Sequence, residues 1–139
     1  MKQYIDEIMK LAHKSLKSGD IPVGAIVVKN NRIIGKGYNT REKDKNILGH
    51  AEINAIKNAI KAENTWKLSD CDIYVTLKPC NMCLEIIKQA RIKNIYYLLD
   101  KLDYKKEFNK TNIHNINNNN IEKEYMKLIN SFFSNLREK

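Results

Sequence analysis

Ile73-Tyr74-Val75-Thr76-Leu77-Lys78-Pro79-Cys80-Asn81-Met82-Cys83 decides how this 139-residue chain folds. The β-branched run Ile73–Leu77 predicts a short buried strand, and Pro79 stops it. A helix from Cys80 to about Ala90 follows, with the proline just ahead of its first turn. Within that turn Cys80 and Cys83 are three residues apart and share one face. A strand that feeds a helix through a proline is an α/β signature.

The rest of the chain fits around that unit. Before it, Tyr4, Ile5, Ile8, Leu11, Ala12 and Leu16 recur at helical spacing, and Gly19-Asp20 closes the segment. Val23–Val28 reads as a buried strand, Lys29–Arg32 as a turn and Ile33–Tyr38 as the return strand. Asn39–Gly49 is polar and reads as a loop. From His50 the apolar positions Ala51, Ile53, Ala55, Ile56, Ala59 and Ile60 are helical. Beyond the cysteine pair, Ile92–Leu99 predicts a fourth strand. Asp100–Asn120 reads mostly as loop, with Ile113 and Ile116 hinting at a short fifth strand. Ile121, Tyr125, Leu128, Ile129, Phe132, Phe133 and Leu136 form the stripe of a final amphipathic helix. The expected fold is one α/β domain over residues 1–139, a three-layer α-β-α sandwich with a mixed central sheet of about five strands.

His50-Ala51-Glu52 opens the helix that precedes the cysteine strand. One imidazole and two thiolates suit a four-coordinate zinc with one position left for water. Both helix N-termini carry partial positive charge, which favours thiolate over thiol at Cys80 and Cys83. Glu52, beside such a water, is placed to move protons rather than to bind the metal. Two other readings use the cysteines alone. A structural zinc ribbon needs a second ligand pair, and the chain offers only Cys71, His13 and His114 beyond the cluster. A redox pair leaves His50 and Glu52 unexplained. Cys71 reads as a small buried hydrophobe.

Composition narrows the class. At 42% hydrophobic and 29% charged residues, the chain reads as a soluble globular protein. No stretch is apolar enough to span a bilayer, and the opening residues lack the apolar core of a signal peptide. Three cysteines, two of them in a ligand pattern, argue against a disulfide framework and for a reducing cytoplasm. The net charge of +9 suits a polyanionic partner such as nucleic acid, and a bias toward Lys, Asn and Ile accounts for it equally well.

With these residues in view, the sequence resembles the bacterial tRNA-specific adenosine deaminases of the cytidine/deoxycytidylate deaminase superfamily. The resemblance rests on Asp20-Ile21-Pro22-Val23-Gly24-Ala25, Gly37-Tyr38-Asn39, His50-Ala51-Glu52-Ile53, Thr65-Trp66-Lys67-Leu68, Tyr74-Val75-Thr76-Leu77, Pro79–Cys83 and Ser131-Phe132-Phe133. It implies a cytidine-deaminase-like fold and a homodimer. The implied activity is hydrolysis of adenosine to inosine at the wobble position of a tRNA anticodon stem-loop. It further implies one zinc per chain on His50, Cys80 and Cys83, with Glu52 as proton shuttle. Asn39 would hydrogen-bond the base, the Ala51 backbone N–H would meet it, and Val23 would line the pocket wall. An ordinary turn residue is the alternative reading of Asn39. Lys101, Lys105, Lys106 and Arg137 are candidate phosphate contacts.

The sequence departs from the family at Lys78, where Glu is usual, at Asn81, at Leu98-Leu99 and in the Lys-rich segment Asp103–Asn112, which replaces a Gly-rich loop. A deaminase of a free base, nucleoside or nucleotide is the alternative on the same scaffold. A non-catalytic zinc-stabilised nucleic-acid-binding module is the alternative of a different class.

Overall fold

The computed structural model describes residues 1–100 and 112–137. The elements in chain order are α1 (Lys2–Lys17), β1 (Gly24–Lys29), β2 (Arg32–Tyr38), α2 (Ala51–Glu63), β3 (Cys71–Leu77), α3 (Asn81–Gln89), β4 (Asn94–Leu99) and α4 (Asn119–Arg137). They fall into two compact units, Met1–Asp103 and Tyr104–Lys139.

The first unit is a mixed sheet in the order β2-β1-β3-β4. β1 pairs antiparallel with both β2 and β3, and β3 pairs parallel with β4. The parallel pair requires a crossover, which α3 provides. Strand residues alternate between two cores. Ala25, Val27, Ile73 and Val75 join Ala51, Ala55, Ile56, Ala59 and Ile87 of α2 and α3 on one face. Ile26, Val28 and Tyr74 meet Tyr4, Ile8 and Leu11 of α1 on the other. β1 is covered on both faces, which is why it reads as an unbroken apolar run. The arrangement is the expected α-β-α sandwich.

The strand count is a correction: the described residues hold four strands rather than about five. The segment containing Ile113 and Ile116 is not a strand. Two isoleucines three residues apart would point to opposite faces of a strand, and their Asn-rich surroundings disfavour one.

The position of α2 follows from small side chains. Ala51, Ala55 and Ala59 recur every four residues and are all buried. Opposite them β2 carries Gly35 and Gly37. A Cβ on Gly37 would run into the backbone of Ala51, Asn54 and Ala55, and one on Gly35 into the backbone of Ala55 and Ala59. Helix and strand therefore lie closer than ordinary side chains allow.

The second unit is described by its helix. Asn118 caps α4, its Oδ1 accepting the Ile121 N–H at 3.2 Å. The apolar stripe includes an edge-to-face Phe132–Phe133 pair with centroids 5.3 Å apart.

Gly37→Ala forces backbone atoms apart at the start of α2. Overpacking of this kind costs about 1–3 kcal/mol. Urea unfolding should show that loss, whereas Ala substitution at exposed Lys57 of α2 should leave the midpoint nearly unchanged.

Candidate active site

Two helix N-termini meet at this site. His50 is the N-cap residue of α2, with extended backbone at φ −82° and ψ 148°. Cys80 is the N-cap residue of α3, also extended, at φ −70° and ψ 171°. Neither uses its side chain to cap its helix, so imidazole and thiol are left to face each other. β3 ends at Leu77, and Lys78 N–H is held by the Leu99 carbonyl at 2.8 Å, so the Pro79 turn starts from a fixed point.

The structure brings His50, Cys80 and Cys83 together with all ligand atoms within 4.8 Å of one another. His50 Nδ1 lies 4.0 Å from Cys80 Sγ and 3.5 Å from Cys83 Sγ. Cys83 is fully buried, while His50 and Cys80 are half-buried, so the cluster has a closed floor and an accessible side. Burial raises the Cys83 thiol pKa, and the neighbouring Glu52 and Cys80 charges add to the rise. Both effects act against the helix-terminal field expected to favour thiolate there. A cation among the three groups reverses the balance, because coordination deprotonates a thiol outright. One imidazole and two such thiols form a soft donor set that fits a transition metal.

Glu52 stands in the first turn of α2 and is 5% exposed. Burial pushes its carboxyl up to about 7, and a hydrogen bond from its own backbone opposes only part of that rise. A carboxyl with such a pKa exchanges a proton readily near neutrality.

Val23 and Ala51 are buried in the core shared by β1 and α2. Asn39 is tied to the same corner, its backbone N–H donating to Val23 O at 3.0 Å. Its side chain makes an Asx turn: Oδ1 accepts Arg41 N–H at 3.1 Å, while Nδ2 donates to Ile21 O at 3.1 Å. The turn role is thus fully built, and one N–H and one lone pair of the amide are left over. Lys78 reaches Asp100 at 3.5 Å and sits 5.7 Å from the centroid of the Tyr97 ring. Cys71 lies at the start of β3, buried and away from the cluster. Lys101, Lys105, Lys106 and most of the Asp103–Asn112 segment lie outside the described residues, as does the side chain of Arg137.

Three supporting residues escaped the sequence reading. Asp20, read there as the end of a helix and as part of the family-like stretch Asp20–Ala25, is buried, and its carboxylate accepts the N–H of Glu42 at 2.6 Å and of Lys43 at 3.3 Å. It thereby fixes the loop that follows Asn39. Asn54 Nδ2 donates to Tyr38 O at 2.9 Å and Thr40 Oγ1 at 3.0 Å, tying α2 to the start of that loop. Thr76 Oγ1 accepts the Gly24 N–H at 3.1 Å within the sheet. An aspartate just after a helix-ending glycine was the available signal for the first of these.

Comparison with known proteins places this geometry. The profile of the MafB19-like deaminases matches residues 1–137. The chain belongs to the MafB19-like deaminase family. Within reach of that family, a tRNA-specific adenosine deaminase of Streptococcus pyogenes (serotype M18) is 42% identical over 94 residues. That match takes in 68% of this chain and 59% of the relative, so the chain spans about three-fifths of the length of the curated relative. A structure solved in studies of A-to-I editing by tRNA:A34 deaminases at the wobble position superposes with a TM-score of 0.67 at 32% identity, over 69% of this chain and 74% of that one. The guanine deaminase of Bacillus subtilis superposes with a TM-score of 0.79 at 25% identity, over 93% of each chain.

Asp20→Ala removes both acceptors from the loop and leaves two backbone donors without their charged partner. Hydrogen bonds to charged groups contribute about 1.5–3 kcal/mol. Amide exchange at Glu42 and Lys43 should speed up by more than about tenfold, with the amides of β1 and β3 unchanged.

Proposed function

We propose that this protein is a zinc-dependent hydrolase that converts adenosine to inosine at the wobble position of a tRNA anticodon stem-loop. The observation that carries the reading is the buried Glu52 carboxyl at the N-terminus of α2, next to a His50–Cys80–Cys83 cluster whose donor atoms lie within 4.8 Å of one another. A structural metal site has no use for a proton-exchanging carboxyl at its edge.

His50, Cys80 and Cys83 would hold zinc. Bound there, zinc would act as a Lewis acid that makes water a nucleophile at neutral pH. Glu52 takes the proton from the attacking water and delivers it to ring N1 of adenine. The oxygen adds at C6 as a hydroxyl group, whose proton Glu52 then passes to N6; the C6–N6 bond breaks, ammonia leaves and C6=O forms. The carboxyl carries protons in both directions, for which a pKa near the working pH is best suited. The Ala51 backbone N–H and the remaining capacity of the Asn39 amide orient the base, and Val23 forms the wall beside it. Because Asn39 is already anchored in its Asx turn, it meets the base without paying to become ordered.

Identity to tRNA-specific adenosine deaminases, higher than to the guanine deaminase, supports the choice of substrate, as does the net charge of +9. A homodimer in the cytoplasm belongs to the same reading. A stem-loop needs more surface than a one-base pocket, and no helix among the described residues is long and apolar enough to cross a membrane. A second reading, deamination of a free purine base, draws on the guanine deaminase superposition, which extends over 93% of this chain.

Purified protein should carry one zinc per chain by elemental analysis, and Cys80→Ala should lose it. Glu52→Ala should keep the metal and lose a factor of about 10²–10⁴ in rate. A stem-loop with adenosine at the wobble position should be deaminated far faster than free adenosine, cytidine or guanine. Turnover of guanine with none on the RNA would replace this reading by the second. Light scattering that shows only monomer at micromolar concentration would remove the dimer.

A further inference from the structure

A cleft of about 390 Å³ opens beside β2, between α1, α2 and the loop after Asn39. This is within the roughly 300–1,000 Å³ range of ligand clefts. Lys14 of α1, Lys36 of β2, Lys43 of the loop and Lys57 of α2 line it, against the single acid Asp44. Four cations from four separate segments converge on one concavity, which the solvated face of a single helix does not do. Lys36 is shared with Glu7 at 3.4 Å, and Lys43 leans on the Tyr38 ring at 5.7 Å. Lys14 and Lys57 have no ion-pair partner among the described residues.

The chemistry of the lining says what it recognises. Asn54 and Asn58 also face the cleft, but their Nδ2 groups donate to Tyr38 O at 2.9 Å and Lys36 O at 2.7 Å. With these amide N–H groups turned to the β2 backbone, what the cleft offers is chiefly its ammonium groups. Ammonium groups bind phosphates as point charges and carry no sequence information. The cleft is linked to the His50–Cys80–Cys83 cluster through α2. The Asn54 N–H donates to the His50 carbonyl at 3.0 Å, one helical turn away, and Lys43 belongs to the loop that begins beside Asn39.

We infer that this β2-side cleft is a phosphodiester-backbone site, a second RNA contact outside the base pocket. It rests on the proposed tRNA substrate. It serves to hold the RNA beyond the wobble nucleotide and is indifferent to sequence.

The test is fluorescence anisotropy with a labelled tRNA carrying guanosine at the wobble position, so that no turnover interferes. Wild-type protein is compared with the triple variant K14Q/K43Q/K57Q, and with K67Q/K88Q/K93Q, which removes the same charge elsewhere. The cleft triple should weaken binding at least about tenfold at low salt. Between about 50 and 200 mM salt it should also flatten the log–log dependence by about two. The remote triple should change affinity less than about threefold. Equal weakening by both triples overturns the site and leaves only net charge, and an unchanged cleft triple overturns it outright. Should the triple fold poorly by circular dichroism, K14Q/K57Q removes two exposed helix lysines, and a slope change of about one or more decides the matter. Failure of the substrate reading is distinguishable: a tRNA with wobble adenosine then yields no inosine, while the anisotropy differences persist.

Discussion

Everything at the candidate site depends on how closely α2 lies against β2. Gly35 and Gly37 on the strand and Ala51, Ala55 and Ala59 on the helix leave only methyl groups and backbone between them. That contact sets the height of the α2 N-terminus above the sheet and with it the position of His50. The cysteines are set by a different device, the Leu99 carbonyl that grips Lys78 N–H just before the proline turn. The cluster is where two independently positioned helix ends meet, so an error of about 1 Å in either would spoil the geometry.

Burial at this meeting point works against charge and for reactivity. Cys83 and Glu52 are both forced toward their protonated forms by loss of solvent. In the absence of a cation, that is a cost to the fold. A cation held by the three donors would turn the thiol into a ligand and would draw the Glu52 carboxyl back down from its raised value. The same dry environment thus acts on two neighbouring groups, a thiol in the donor set and a carboxyl outside it.

Much of this was legible in the sequence because local signals agreed. Pro79 marked the strand end, the alanine spacing marked α2, and His50, Cys80 and Cys83 matched a donor set that demanded proximity. The two-sided burial of β1 was written in its uninterrupted apolar run. What escaped the reading depends on distant partners. The role of Asp20 appears only when the loop 22 residues later folds back onto it. The burial that raises the Cys83 thiol pKa requires knowing what lies beneath the sulfur. The supposed fifth strand failed because two isoleucines suggested a face that their spacing cannot make.

The asparagines Asn54 and Asn58 have a consequence for how copies of the chain meet. β2 is the last strand on its side of the sheet, and a bare terminal strand is a template on which another chain can add. Here the carbonyls of Lys36 and Tyr38 are already occupied by side chains reaching over from α2. The helix that carries His50 and Glu52 therefore also guards the β2 edge against strand addition. Replacing the Asn58 amide by an apolar group would bare the Lys36 carbonyl and put colloidal behaviour at risk.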